Sequence, residues 1–325
     1  MPVVRIAIPD DYQDIVHRLE CFELLRGHEV LRFRAPARDL DHQADRLGGA
    51  EVVVAIRERT AFPRALLERL PQLKLIALVG RHSSVIDFDA CKELGIAVTS
   101  GSSASPVAPA ELTVALIVAS RRNVALEAER MKRGELPATL SHRLRGSTLG
   151  IYGLGTIGAL VADAGRGLGM KVLVWGRANS LARAQQEGHF VAASKEELFE
   201  KSDVLSLQLR LNAETRGIVG AADFARMKPA ALFVNTARAE LVQPGALLAA
   251  LKNGRPGYAA LDVYEEEPVN PGHPLLGMPN VLCTPHLGWA EWQTFETYFG
   301  EAFAHIVRYA ASRQVLPSAG GSRTA

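Results

Sequence analysis

The sequence predicts an α/β protein with two parallel β-sheets, each flanked by helices. Short runs rich in β-branched residues alternate with amphipathic segments, which is the pattern of βαβ units. This alternation occurs twice, once on each side of a long helical segment. The chain has 325 residues, which exceeds the size at which one hydrophobic core usually stops growing, so two domains are expected.

The first series of units occupies the amino-terminal third of the chain. Its predicted strands are "VVRIAI" (3–8), "EVLRF" (29–33), "EVVVAI" (51–56), "LKLIALV" (73–79) and "IAVT" (96–99). The amphipathic segments between them cover residues 11–26, 40–47, 63–70 and 85–94. A long helical period then runs from about Pro109 to about Arg133, and Gly134 ends it.

The second series begins near residue 148. Its predicted strands are "TLGIYG" (148–153), "KVLVW" (171–175), "VLSLQL" (204–209), "ALFVN" (231–235), "YAALDV" (258–263) and "NVLCT" (280–284). One more long helical pattern, residues 290–312, has no strand after it. The final residues, from 318 onward, have a composition typical of a disordered tail.

Composition favours a small-molecule role in the cytoplasm. The 37 basic and 35 acidic residues give a net charge of +2, so we expect neither nucleic-acid nor membrane binding. Cys21, Cys91 and Cys283 lie far apart, which predicts neither disulfides nor a metal site. No long apolar run resembles a signal peptide or a membrane span.

The stretch "GIYGLGTIGA" (150–159) contains the spacing G-x-G-x-x-G at the end of a predicted strand. Gly153 suits the tight turn, Gly155 allows the backbone to approach a pyrophosphate, and Gly158 allows the helix and the strand to pack closely. Glycines alone also occur in ordinary turns. Because strand, loop, helix and second strand follow in order within about 30 residues, the context favours a dinucleotide site.

Four reactive side chains lie at or after the carboxyl ends of predicted strands in this second series: Arg238, Asp262, Glu267 and His286. Because the carboxyl ends of parallel strands face the ligand crevice, we expect these groups to converge. An arginine fork suits a carboxylate, a histidine suits proton donation, and a carboxylate beside it stabilises the imidazolium. Each residue alone also has a structural interpretation, as a cap, a solvated acid or a hydrogen-bonded histidine.

Together the motifs resemble the D-isomer-specific 2-hydroxyacid dehydrogenases over nearly the whole chain. The resemblance rests on "IRERT" (56–60), "GRHSSVIDFDACKELGIAV" (80–98), "SPVAPAELTVALIVASRRN" (105–123), "LRGSTLGIYGLGTIG" (144–158), "MKPAALFVNTARAELV" (227–242), "ALDVYEEEP" (260–268) and "PNVLCTPHLGW" (279–289).

The resemblance implies two Rossmann-like domains, with a dinucleotide-binding domain inserted into a smaller flavodoxin-like substrate domain. Residues 1–103 and 290–317 would form the substrate domain, and residues 104–289 the dinucleotide-binding domain. Residues 318–325 would form the tail. Dimers built across the crossover helix are usual in the family, so a homodimer is expected.

The resemblance also implies the activity, a hydride transfer between a nicotinamide cofactor and a small 2-keto or D-2-hydroxy acid. Arg238, Glu267 and His286 match the catalytic arginine, glutamate and acid/base histidine of the family. Arg57, Gly80, Arg81 and His82 match the region that binds the substrate carboxylate. The family commonly has Gly-x-Gly where this chain has Gly80-Arg81-His82, so the size and charge of the substrate stay open.

The expected cofactor site includes the glycine loop, the end of the second strand and Asp262, which would help to hold the nicotinamide amide. Its residues are Gly153, Leu154, Gly155, Thr156, Ile157, Gly158, Gly176, Arg177, Leu209, Thr215, Thr236, Ala237, Asp262 and Gly288. NAD enzymes place a carboxylate where this chain has Gly176 and Arg177. We therefore expect NADP(H) in preference to NAD(H), with Arg177 pairing with the 2′-phosphate, helped by Ser180 or Arg183. The alternative is that Arg177 stacks on adenine and either cofactor is used.

Two other functions share this fold. Formate dehydrogenases of the family usually have glutamine where this chain has Glu267, which disfavours that activity. A dinucleotide-sensing corepressor can retain all three catalytic residues, so the sequence leaves this alternative open. Turnover of 2-keto acids would distinguish an enzyme from a sensor.

Overall fold

The computed structural model describes residues 2–103 and 105–312, and it divides into two compact units. One unit contains the chain up to Ser105 together with the segment from Trp292, and the other is Pro106–Glu291. The predicted α/β class, with one Rossmann-like unit inserted into another, is confirmed. The tail expected at 318–325 lies outside the described residues. No helix within the described ranges is long and apolar enough to cross a membrane.

The first unit is a five-stranded parallel sheet with the order β2-β1-β3-β4-β5, the flavodoxin-like arrangement. Its strands are β1 (Arg5–Ile8), β2 (Glu29–Arg32), β3 (Val52–Ile56), β4 (Leu75–Val79) and β5 (Ala97–Thr99). Its first three α-helices are α1 (Leu40–Leu47), α2 (Arg64–Leu67) and α3 (Phe88–Glu93). Strands β3 and β4 are buried along their whole length, which explains why their sequences are continuously apolar.

The segment 11–26 forms two short 3₁₀ helices, Val16–Arg18 and Glu20–Leu25, in place of a single amphipathic helix. The buried carboxylate of Asp11 accepts hydrogen bonds from the Ile15 amide (3.0 Å) and the Val16 amide (3.3 Å). These side-chain contacts begin the first helix at Val16, and the extended backbone of Leu19 separates it from the second.

The carboxy-terminal helix belongs to this first unit and supplies part of its core. We label it α11, Trp292–Ser312. Its Phe299 and Phe303 are fully buried, and Glu296 accepts hydrogen bonds from the amides of Glu20 (2.6 Å) and Cys21 (3.0 Å). Those amides open the second 3₁₀ helix, so a residue almost 280 positions away caps it.

The second unit is a seven-stranded parallel sheet with the order β12-β11-β10-β9-β6-β7-β8. Its strands are β6 (Thr148–Tyr152), β7 (Lys171–Trp175), β8 (Phe190–Val191), β9 (Val204–Leu207), β10 (Leu232–Asn235), β11 (Tyr258–Leu261) and β12 (Val281–Cys283). The order reverses between β6 and β9, which is the switch point where Rossmann sheets bind ligands.

Helices cover both faces of this sheet and bury a separate apolar cluster on each face. They are α4 (Val107–Arg121), α5 (Val124–Lys132), α6 (Thr156–Gly167), α7 (Ala178–Gln186), α8 (Lys195–Lys201), α9 (Ala221–Arg226) and α10 (Ala246–Lys252). Two 3₁₀ turns, Ala239–Leu241 and Pro274–Gly277, complete the unit.

The helix expected from Pro109 to Arg133 is broken into α4 and α5. Asn123 adopts a left-handed backbone with φ of +53°, a conformation that asparagine tolerates better than most residues. The carbonyl that the break frees at Arg121 accepts a hydrogen bond from the His142 amide at 2.9 Å. The Arg121 side chain is buried and donates to the Ala230 carbonyl at 2.6 Å.

Candidate active site

The glycine loop joins β6 to α6, and its three glycines have different surroundings. Gly153 has φ of +97°, and a Cβ there would lie 2.7 Å from the carbonyl oxygen of Gln208. A Cβ on Gly158 would lie 2.5 Å from the carbonyl oxygen of Gly153. A Cβ on Gly155 would meet nothing within 4 Å. The protein's own packing therefore requires Gly153 and Gly158, whereas the space at Gly155 is open.

The residues beside these glycines form the walls of the loop. Leu154 is buried, Ile157 is half-buried, and Thr156 is exposed at the start of α6. After β9, the Leu209 side chain packs against Gly153, with its Cδ2 2.8 Å from the position a Cβ would take. The next turn is held by Thr215, whose hydroxyl donates to the Arg210 carbonyl at 2.7 Å.

The end of β7 lies beside the glycine loop and carries no acid. A Cβ on Gly176 would lie 3.4 Å from the Cα of Gly153, so these two backbone segments are close together. Arg177 is the first residue beyond, at the N-cap of α7, and its side chain is exposed. Within residues 2–103 and 105–312, no hydrogen bond or ion pair of the Arg177 side chain is found.

Asn235 organises the turn that follows β10. Its side chain accepts a hydrogen bond from the Ala237 amide (3.0 Å) and donates one to the Arg238 carbonyl (2.9 Å). The Thr236 hydroxyl lies 2.7 Å from that of Thr113 on α4. The half-buried Arg238 side chain donates to the Ala237 carbonyl at 2.7 Å.

Asp262, directly after β11, is fully buried and holds the loop that carries His286. Its carboxylate accepts hydrogen bonds from the Thr284 hydroxyl (2.6 Å), the Leu287 amide (2.7 Å) and the Gly288 amide (2.9 Å). Burial raises the pKa of Asp262, although these three hydrogen bonds oppose that shift. Asp262 is therefore hydrogen-bonded to residues on both sides of His286 in the sequence, Thr284 before it and Leu287 and Gly288 after it.

His286 and Glu267 form a hydrogen-bonded pair. The Nδ1 atom of His286 lies 2.7 Å from Oε2 of Glu267, and both side chains are about one-third exposed, at 30% and 36%. The other carboxylate oxygen of Glu267 accepts a hydrogen bond from the Tyr264 amide at 3.1 Å. His286 has a left-handed backbone with φ of +53°, a conformation that the neighbouring Asp262 contacts stabilise.

The charge of Glu267 is held by its neighbours. Burial opposes ionisation, but the hydrogen bond with His286, the Tyr264 amide and the positive charge of Arg238 outweigh it and lower the pKa of Glu267. The cation, the carboxylate and the imidazole therefore belong to one electrostatic cluster. This cluster follows β10, β11 and β12, at the same sheet edge as the glycine loop after β6.

In the first unit, the structure brings Arg57 and Gly80 together at the ends of β3 and β4. Gly80 has φ of +121°, and the Arg57 guanidinium lies 3.1 Å from the position a Cβ would take there. Arg57 itself has a left-handed backbone with φ of +55°. Arg81 and His82 follow with exposed side chains.

Within the described ranges, one group of side chains has the composition of a metal site, Asp11, Asp14 and His17. Arg32 already binds both of its carboxylates, at 2.8 Å from Asp11 and 2.6 Å from Asp14. Arg34 also binds Asp14, at 3.1 Å, so two arginines balance the two carboxylates and the arrangement is an ion-pair cluster.

Sequence reasoning missed two residues that support the loop of His286, Thr284 and Tyr264. Thr284 binds Asp262, and the Tyr264 hydroxyl donates to the Thr284 carbonyl at 3.1 Å. Both lie within motifs already identified, "DVYEEEP" and "CTPHLG". A threonine and a tyrosine beside the ends of two adjacent strands could have indicated supporting hydrogen bonds at this edge of the sheet. Only the register of β11 against β12 shows which of these side chains contact each other.

A profile of the D-isomer specific 2-hydroxyacid dehydrogenase NAD binding domain matches residues 114–288. The chain belongs to the D-isomer-specific 2-hydroxyacid dehydrogenase family. It is 39% identical to a glyoxylate reductase of Aeropyrum pernix, over 70% of this chain and 71% of that protein. It is 34% identical to a glyoxylate/hydroxypyruvate reductase B of Salmonella newport, over 89% and 88% of the two chains.

Among solved structures, a phosphoglycerate oxidoreductase of Vibrio cholerae O395 superposes with a TM-score of 0.91 and 46% identity, covering 95% of this chain and all of that one. The family's NAD binding domain implies a nicotinamide cofactor. The residues present fit that group, because the glycine loop leaves open space at Gly155 while it is tightly packed at Gly153 and Gly158.

Proposed function

We propose that this protein is an NAD(P)-dependent oxidoreductase that interconverts a small 2-keto acid and a D-2-hydroxy acid. The observation that carries the proposal is the 2.7 Å contact between His286 Nδ1 and Glu267 Oε2. This acid–base pair lies at the same sheet edge as the open glycine loop. Membership of the dehydrogenase family supports the same chemistry.

In this proposal each catalytic side chain has one role. A dinucleotide whose pyrophosphate is bound at the glycine loop would supply, from its reduced nicotinamide, the hydride for C2 of the keto acid. His286 donates a proton to the C2 oxygen as negative charge develops there, and Glu267 orients the ring and stabilises its protonated form. Arg238 polarises the carbonyl with its fixed positive charge. In the oxidation direction His286 accepts the proton back.

Binding of the substrate carboxylate is assigned to Arg57 together with the backbone of Gly80, Arg81 and His82. The Gly80 conformation and the absence of its Cβ allow the Arg57 guanidinium to lie against this turn. The exposed Arg81 and His82 side chains add positive or neutral polar groups beside it.

For the cofactor, the proposal favours NADP(H) over NAD(H). The end of β7 has no carboxylate to bind the ribose hydroxyls or to repel a 2′-phosphate, and the exposed Arg177 guanidinium is available there. Kinetics with both cofactors in one buffer test this. Arg177→Ala should weaken NADPH more than NADH, and a preference of the unmodified protein for NADH of about tenfold contradicts the assignment.

The proposal also includes a homodimer, with a second copy covering the segment around α5. Met131, Leu136 and Leu140 expose 75%, 83% and 91% of their surfaces there. The segment is nevertheless ordered, since the Glu127 carboxylate accepts hydrogen bonds from the Ala138 amide (3.2 Å) and the Thr139 amide (2.9 Å). Leu140→Glu should therefore shift the sedimenting species from dimer to monomer, and an unmodified protein that sediments as a monomer contradicts the proposal.

Steady-state turnover tests the activity itself. We expect oxidation of NADPH or NADH with at least one of glyoxylate, hydroxypyruvate, pyruvate, phenylpyruvate and branched 2-keto acids. Tight binding of dinucleotide without turnover of any of these acids would instead favour the sensor.

A further inference from the structure

Helix α7 contacts the glycine loop through two side chains that the catalytic proposal does not use. The Ser180 hydroxyl accepts a hydrogen bond from the amide of Leu154 at 3.1 Å. The Arg183 guanidinium donates through Nη1 to the carbonyl of Gly155, also at 3.1 Å. One face of α7 thus binds backbone groups of two adjacent loop residues, Leu154 and Gly155, through side chains that are three positions apart on the helix.

Arg183 is itself fixed from the other side. Its Nε lies 2.6 Å from Oε1 of Glu187, one helical turn further along. The hydrogen bond from Arg183 lowers the pKa of Glu187, which keeps the carboxylate ionised at neutral pH. The guanidinium therefore bridges the Glu187 carboxylate and the Gly155 carbonyl. Rotation of the Arg183 side chain away from the loop would break its charge-assisted hydrogen bond to Gly155.

Gly176 allows α7 to come this close. A Cβ on Gly176 would lie 3.1 Å from Cβ of Ser180, tighter than most real contacts of a Cβ atom, and 3.4 Å from Cα of Gly153, at the near limit of ordinary contact. The missing side chain at the end of β7 and the two contacts from α7 are therefore parts of one arrangement. Gly176, where an NAD enzyme would have a carboxylate nearby, thus also allows α7 to pack against the glycine loop.

We propose that Ser180 and Arg183 are positioning residues that hold the glycine loop in the form that receives the dinucleotide pyrophosphate. They raise the affinity for NADH and NADPH by the same factor, because the loop meets the part that both cofactors share. Arg177 alone then distinguishes NADPH from NADH, through the 2′-phosphate. This differs from the expectation that Ser180 or Arg183 pairs with the 2′-phosphate. The inference rests on the proposed dinucleotide site at the loop.

Dissociation constants for NADH and NADPH, measured by fluorescence titration, test the inference on the full chain. Arg183→Met keeps the aliphatic stem and removes the charge and the donors. It should weaken both cofactors about tenfold, the effect of one charge-assisted hydrogen bond, with their ratio unchanged and kcat at saturating cofactor retained. The matched control is Arg166→Met on α6, which removes a charge that contacts the Asp163 carboxylate (2.7 Å) and the Glu187 carbonyl (3.2 Å) and not the loop. It should leave both constants unchanged.

Ser180 provides a second variant with its own readout. Ser180→Ala should weaken both cofactors about threefold and accelerate hydrogen exchange at the Leu154 amide, whose acceptor it removes. Ser180→Thr, which retains the hydroxyl, should restore slow exchange and most of the affinity. Thermal unfolding of each variant checks that the fold is intact.

Three results would overturn the inference. A selective loss of NADPH affinity in Arg183→Met makes Arg183 a ligand of the 2′-phosphate, and unchanged constants in both variants mean that the contacts do not position the loop. Unchanged exchange at the Leu154 amide in Ser180→Ala has the same meaning. Gly155→Val separates this failure from that of the dinucleotide site, because a protein with Gly155→Val that still binds dinucleotide contradicts the site itself.

Discussion

A substitution at Gly155 can distinguish a glycine that a ligand requires from a glycine that the fold requires. Its backbone, with φ of −83° and ψ of −161°, is accessible to any residue, and a Cβ would meet nothing within 4 Å. Gly155→Val should therefore change the free energy of unfolding by less than about 0.5 kcal/mol. If the pyrophosphate approaches this backbone, the same side chain should weaken dinucleotide binding at least about 100-fold, or about 2.7 kcal/mol.

Two control variants complete the test. Gly158→Ala should lower stability by about 1–3 kcal/mol through overpacking, because its Cβ would lie 2.5 Å from the Gly153 carbonyl oxygen. Gly167→Val, at the exposed end of α6 where a Cβ also meets nothing, should leave cofactor affinity unchanged. Urea unfolding and fluorescence titration supply the two quantities. Normal dinucleotide affinity in Gly155→Val would refute the reasoning.

The remaining predictions concern Arg238, Glu267 and Asp262, the proposed partners of His286. Arg238→Lys should lower kcat at least about tenfold, since an ammonium cannot reproduce the planar fork, and retention of both kcat and KM removes Arg238 from the mechanism. Glu267 is ionised above its lowered pKa, so Glu267→Gln removes a charge that favours the protonated imidazole. The alkaline limb of the pH profile for keto-acid reduction should then move to lower pH by about one unit, and a shift to higher pH contradicts the pairing. Asp262→Asn places an amide against the three donors of Thr284, Leu287 and Gly288. The substitution should lower the free energy of unfolding by about 1–3 kcal/mol and lower kcat. An unchanged melting temperature would contradict the role of Asp262 in holding the loop of His286.

The central strands β3, β4, β9 and β10 could be predicted because they are buried along their whole length and read as apolar runs. Where the structure differs, a specific side chain is responsible. The Asp11 carboxylate binds two amides and shortens the first expected helix, and the left-handed Asn123 breaks the long one. Strand β8, Phe190–Val191, has two residues, too few for any periodic signal.

Candidate site residues could be named from the sequence because each follows a predicted strand in a parallel sheet. The contacts of these residues could not be predicted from the sequence, because they depend on the register of adjacent strands and on backbone angles. Nothing in the pattern "ALDVYEEEP" indicates that Asp262 binds the loop of His286. The interpretation of Ser180 and Arg183 as ligands of a phosphate likewise did not include their hydrogen bonds to the glycine loop.

We propose above all that His286, paired with Glu267, is the proton donor and acceptor of a 2-keto acid reductase. The most direct measurement is kcat for His286→Ala with the best keto acid from the panel, together with the dissociation constant of the cofactor. We expect kcat to fall at least about 100-fold, as for a general acid. Cofactor affinity should stay within about twofold of the original, because the imidazole is assigned to proton transfer. A near-normal kcat would contradict it.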